Sequence, residues 1–383
     1  MFLAHCLCIM LVPSLMWAQS PVRDSAGVTM VRTVPVATTP VVVSRQASRV
    51  ITVGADVDVV GALRMSDGTI WIADAAARKL WRVGAGNARS AVGDWTSIYG
   101  MLRAGADSLL VWDGAARQAR ILDRTGRQRG SSGVRALRDI TRPNGSSGRP
   151  ALLLHGMFRD GSLLGEVRDP YRDGRVSHVE ADSAPVVVVG RSGSITAVDT
   201  VLRMERVLYR GARSGMNAPL PFGRSGQLVA VDDGYLYSDG AAYRIEEHGQ
   251  DGALRRVIQL ARPLQVVTPA EIARFKAARL ATIPADLRAE YAAGLDWLPW
   301  PARKGGWTAL QRDAAGRLWA RQWATDDEDA TWDLFSPDGR HLGTTTVPAG
   351  VTVLDIGRDY LLGVAAGARG VEVRVYGTTW DGR

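Results

Sequence analysis

Two aspartates thirty-nine residues apart, Asp74 and Asp113, carry the most suggestive chemistry in this chain, each followed four positions later by an arginine, Arg78 or Arg117. Carboxylates set around a common centre could hold a hard cation or act as acid–base groups. The same spacing also suits a structural task. Each Asp would cap the hairpin after its strand by accepting backbone N–H bonds, with the arginine pairing nearby. Recurrence favours the second reading, because a residue repeated with its surroundings does a repeated job.

Other chemistry is sparse. Asparagine is confined to Asn87, Asn144 and Asn217, and His155, His178, His248 and His341 stand alone without metal-ligand spacing. His155, after Leu152-Leu153-Leu154, could point toward a central channel, but a satisfied core or surface histidine is the expected role. No Gly-rich phosphate loop precedes a helix and no Gly-x-Ser-x-Gly elbow occurs. Asp326-Asp327-Glu328-Asp329 reads as a solvated hairpin tip, since it lacks the Gly and terminal Glu of a calcium loop. The remaining patch is aromatic: six of the twelve tryptophans lie between Trp297 and Trp332. Trp297, Trp300 and Trp307, with Arg303 and Lys304, form the candidate binding set, because rigid aromatic faces beside cations suit a sugar or peptide. The competing expectation is that Trp71 and Trp319 fill space between sheets while Trp297 and Trp300 dock helices.

The elements that would position these residues are repeated. Gly61-Ala62-Leu63-Arg64 returns as Gly100-Met101-Leu102-Arg103, and Asp74-Ala75-Ala76-Ala77-Arg78 as Asp113-Gly114-Ala115-Ala116-Arg117. Short strands recurring with a period near forty predict an all-β fold, a β-propeller. Units are expected at about 55–94, 95–133, 134–203, 204–265, 304–347 and from 351 to the end. Six blades is the expected count and seven the alternative. The last unit is short by a strand, which the segment 27–54 would supply, closing the ring through the two chain ends. Thr268-Pro269-Ala270-Glu271 opens a helical insertion, 268–296, between blades four and five, with a capping Thr, Pro at the first helical position and Glu three after the cap.

The unit Asp67-Gly68-Thr69-Ile70-Trp71-Ile72-Ala73-Asp74, followed by Arg78-Lys79-Leu80-Trp81-Arg82-Val83, resembles NHL-type repeats. It also resembles the six-bladed propellers found as exported bacterial proteins of uncharacterised function. The resemblance covers about 50–380 and implies the fold, while implying little about activity, because this architecture hosts binders, scaffolds and unrelated enzymes.

The chain of 383 residues carries a formal net charge of +8. That charge is arginine scattered singly, with only Lys79, Lys276 and Lys304 as lysines, so no clustered nucleic-acid footprint is expected. Residues 1–18 hold no charged side chain and read as a signal peptide ending at Ala18, placing the mature chain in the periplasm or outside the cell. Cys6 and Cys8 both fall within it, leaving no disulfide or thiolate site. The expected function is therefore a non-catalytic, monomeric binding protein, with no membrane span in the mature chain, that takes a protein or glycan partner on one ring face. No cofactor and no metal are expected. The alternative is a metal-assisted hydrolase or lactonase with carboxylates at the channel mouth, for which Ca²⁺ is the natural ion.

Overall fold

The computed structural model describes residues 22–23, 27–134, 151–168, 177–210 and 215–381. The expected signal peptide and the loop 144–148 lie outside the described residues. Among those described, the strands form six small sheets, taken up in chain order. Each begins with an innermost strand: β1 (Val59–Arg64), β2 (Ile98–Gly105), β3 (Ala151–Met157), β4 (Gln227–Val231), β5 (Ala309–Arg312) and β6 (Thr352–Ile356). Every inner strand hairpins antiparallel into the next, and the sheet then continues outward. Neighbouring inner strands lie side by side from β1 through β5, and β6 returns to β1. Between β5 and β6 the circle is closed by Gln311 Nε2 donating to the Val353 carbonyl at 2.6 Å and by Ala314 N–H donating to Ile356.

Alternation explains why the sheets stack around a ring. Successive side chains of a strand point to opposite faces, so each sheet offers an apolar face to both neighbours. Six apolar clusters result, one at each junction. Trp71 fills the junction of the first and second sheets, and Trp319 that of the fifth and sixth.

The two chain ends meet in the sixth sheet. Val41–Gly54 pairs antiparallel with Gly370–Trp380, giving that sheet its fourth strand. The rest of the amino-terminal segment goes elsewhere: Thr29–Thr33 pairs parallel with Leu254–Leu260 and extends the fourth sheet. The boundary expected near residue 203 also shifts. Ile195–Arg210 is one continuous strand of the third sheet, followed by Gly215–Pro219, and β4 begins only at Gln227. A side chain at Gly226 would stand 1.7 Å from the Leu202 carbonyl oxygen, so this approach of the two sheets requires glycine.

The insertion consists of α1 (Pro269–Ala281) and α2 (Arg288–Trp297). Thr268 accepts the Glu271 N–H while the Glu271 carboxylate accepts from the Thr268 backbone, the reciprocal cap that the sequence proposes. The pair packs on the outward extension of the third sheet through Val207, Leu220, Leu295 and Leu298.

One buried carboxylate ties three parts of the chain together. Asp333, fully shielded on the fifth sheet, accepts from both Arg262 Nη1 (3.1 Å) and Nη2 (2.6 Å), Trp307 Nε1 (2.7 Å), Gln322 Nε2 (3.1 Å) and His341 Nε2 (3.2 Å). His341 Nδ1 in turn accepts the Val36 N–H at 3.0 Å, which fixes its tautomer and binds the amino-terminal segment. Burial pushes the Asp333 carboxyl up, but the donors His341 and Arg262 outweigh it and hold the carboxyl below its ordinary range. Its folded pKa thus lies below that of the unfolded chain. The stabilisation is complete at neutral pH and is lost as the pH falls from about 4 through the folded value. Asp333→Ala, which leaves the half-buried Arg262 and the enclosed Trp307 and His341 without their acceptor, is expected to cost about 3–5 kcal/mol. Urea unfolding at pH 7 and pH 3 checks both points: the variant's deficit should be large at pH 7 and smaller at pH 3.

Candidate functional site

Asp74 and Asp113 are scaffold. Asp74 accepts the Ala77 N–H at 3.0 Å, and Asp113 accepts from Thr96, Ser97 and Ala116 at 2.9, 3.1 and 3.1 Å. Both side chains are buried. The arginines four residues on act through their backbone and not through the expected pairing, since Arg78 and Arg117 take φ of 54° and 53° to close the turn. The similar run Asp313-Ala314-Ala315-Gly316-Arg317 sits at the opposite end of its sheet, in the hairpin after β5, where Asp313 accepts the Arg317 N–H and Nε. The acidic turn 326–329 likewise serves neighbours: Asp329 pairs with Arg45 at 2.9 Å and Glu328 with Arg274 of α1 at 3.5 Å.

The aromatic set divides. Trp307 is 1% exposed and belongs to the junction of the fourth and fifth sheets, its indole committed to Asp333. Lys304, 7% exposed, is also interior. Its ammonium donates to Glu271 Oε1 at 2.6 Å and Gln265 Oε1 at 3.1 Å and lies 4.3 Å from the Trp323 ring centre. These two do not face a ligand: an apolar junction needed the indole, and the helix cap needed a cation. Burial raises the Glu271 carboxyl, yet Lys304 and the Thr268 donors prevail and bring it down to about 2. Trp300 docks α1, with its ring 5.8 Å from Phe275 and 6.1 Å from Phe222. Only Trp297 and Arg303 are open to solvent. Trp297 is 40% exposed beside Tyr209 (5.7 Å), and Arg303 donates to the Leu264 carbonyl.

A second feature lies at the centre of the ring. A cavity of about 1150 Å³ runs along all six inner strands, its lining mixed, with Leu63, Met101, Leu228, Leu310 and Leu354 among the apolar residues. Its charged lining comes from the ends of the inner strands and the hairpins that follow them. Asp232 is held by Arg159 Nη2 at 2.6 Å and Arg312 Nη1 at 2.7 Å, which lower its carboxyl below the ordinary range, Arg312 contributing most. Asp355 accepts from Arg103 Nη2 at 2.7 Å and the Tyr360 hydroxyl at 2.6 Å. Burial and the adjacent Asp355 push the Tyr360 phenol up, so it stays a donor. His155 lines the wall 3.3 Å from Glu166, which also accepts from Arg168. Burial raises the Glu166 carboxyl, but His155 and Arg168 override this and bring it down to about 2. Arg358 also lines the cavity and forms no ion pair among the described residues. Among those residues, no group of three or more His, Cys, Asp or Glu is placed to hold a metal ion.

The inner strands run toward these hairpins, whereas the insertion joins the outer strand of the fourth sheet to the start of β5. The cavity's charged mouth and the helices are therefore on opposite faces. The mouth residues were not singled out in sequence, although a signal exists: Arg159-Asp160, Asp232-Asp233, Arg312-Asp313 and Arg358-Asp359 all fall at or just beyond the end of an inner strand. Charges recurring at one turn of a propeller repeat converge on one rim.

No family model and no curated protein matches the chain. Solved structures that align with it include a protein from Bacteroides fragilis provisionally described as exported, at 11% identity over 92% of this chain and 100% of that one, with a TM-score of 0.45. A luciferin-regenerating enzyme aligns at 12% identity over 87% and 96% (TM-score 0.44), and the calcium-binding regucalcin of Agrobacterium tumefaciens at 13% over 90% and 96% (TM-score 0.39). No helix among the described residues is long and apolar enough to cross a membrane.

Lys304→Met, which leaves Glu271 without its cation, is expected to loosen α1 without unfolding the sheets. Limited proteolysis should then cut within 268–297 at least several-fold faster than in the parent, while the unfolding midpoint falls only slightly.

Proposed function

We propose that this chain is an exported six-bladed β-propeller that acts by binding, and that a protein or glycan partner docks on the face bearing the helical insertion. The observation that carries the reading is the state of the cavity's carboxylates. Asp232, Asp313 and Asp355, the carboxylates that line it, are each engaged by arginine at hydrogen-bonding distance, which holds them as structural counter-ions. A general base or a hard-cation site needs carboxylate oxygens with free lone pairs converging on one point. Six sheets with a junction cluster between each pair support the blade count. Uncharged residues 1–18, which contain both cysteines, support export.

On the helical face, the exposed Trp297 leans on the half-buried Tyr209 ring, the kind of rigid surface that anchors a sugar ring or a partner side chain. Removing a central aromatic anchor typically weakens binding by about 2 kcal/mol or more. Glycan arrays and cross-linking in envelope extract should reveal a partner that Trp297→Ala loses. Turnover of small esters or lactones that requires Ca²⁺ and survives Trp297→Ala would replace this reading with the hydrolase.

A further inference from the structure

We propose that the arginine-rimmed mouth of the central cavity, on the face opposite the helices, is a separate binding site for a small polycarboxylate. The site has three parts. Its wall carries apolar side chains, Leu63, Met101, Leu228, Leu310 and Leu354 among them, between the charged groups. Among the residues that line it, four arginines face three carboxylates: Arg159 and Arg312 share Asp232, Arg103 is matched by Asp355, Asp313 is taken by Arg317, and Arg358 has no ion pair among the described residues. Finally, the donors are accessible. The Arg159 side chain is 78% exposed, and each guanidinium has five N–H donors, of which Arg159 and Arg312 each commit one η nitrogen to Asp232.

Asp232 shows which ligand this arrangement accepts. A carboxylate is already held between the two guanidinium groups, one oxygen to each, at 2.6 and 2.7 Å. A guanidinium fork matches the two oxygens of a carboxylate in plane, so the unused edges of Arg159 and Arg312 can take a second carboxylate while Arg358 takes a third. One carboxylate alone would gain only those edges, opposed by the adjacent negative charge of Asp232. A ligand with two or three is needed to span to Arg358. Asp232 is therefore an internal competitor that positions the arginines and limits affinity.

This assignment does not rest on the partner proposed for the helical face, and either can fail alone. Calorimetric titration of the purified protein at low salt, with citrate, acetate and inorganic phosphate as probes, tests it. Citrate should bind at least about tenfold more tightly than acetate or phosphate and should weaken as salt is added. Arg358→Ala should weaken citrate about tenfold, the scale of one lost charge-assisted contact. Asp232→Asn should tighten it, because two guanidinium groups lose their counter-ion. Arg159→Ala, at an exposed position, provides a second variant that should also weaken citrate. Thermal unfolding of each variant confirms that it remains folded. Absence of citrate binding, phosphate binding as tight as citrate, or weaker citrate binding in folded Asp232→Asn would overturn the proposal.

Discussion

The buried carboxylate of Asp333 is the constraint on which the architecture depends. A ring of sheets must fix the tilt of each sheet against the next, and apolar side chains alone leave that angle soft, because burial has no direction. Asp333 supplies direction. Its two oxygens face an arginine from beyond the fourth sheet, an indole, an amide and an imidazole, whose far nitrogen receives the backbone of residue 36. A charge so buried is tolerable only because every lone pair meets a donor. The guanidinium is itself laid 4.0 Å from the centre of the Tyr243 ring. The residues that orient the fourth and fifth sheets thus also hold the amino-terminal segment on its way from the fourth sheet to the sixth.

From that arrangement follow two faces of different chemistry. The connection leaving the fourth sheet is long, so it becomes the helical insertion and covers one face with aromatic side chains. The hairpins after the inner strands are short and charged, so the opposite face becomes a rim of arginine and aspartate around the central cavity. Buried cations on the helical side are used for support, as with Lys304 beneath the cap of α1. Those on the rim remain partly free, as with Arg358 and Arg159.

Much of the architecture was legible because it is repeated. The hairpin aspartates, the glycine turns and the alternating apolar strands each recur with the period of one sheet, so local pattern and global arrangement agree. The helix cap at Thr268 was legible for the same reason: its signal is contained in four consecutive residues. What misled was proximity in sequence. Trp297, Trp300, Arg303, Lys304 and Trp307 are neighbours along the chain, yet the chain turns inward at 304, so Lys304 and Trp307 are buried while Trp297 is not. The third unit was misjudged at its end because Ile195–Arg210 continues past the point where the repeat predicts a turn.

The sequence by itself determined the class of fold, the strand period, the helical insertion and the structural use of Asp74 and Asp113, since each is encoded in contiguous residues whose spacing matches one element. Tertiary structure alone decided which charges meet. Arg159 and Arg312 clamp Asp232 from different sheets, Arg103 of the second sheet reaches past the first to Asp355 of the sixth, and Arg262 finds Asp333 seventy-one residues away. A salt bridge between distant segments leaves no periodic trace, because any arginine can pair with any carboxylate that the ring brings within hydrogen-bonding distance.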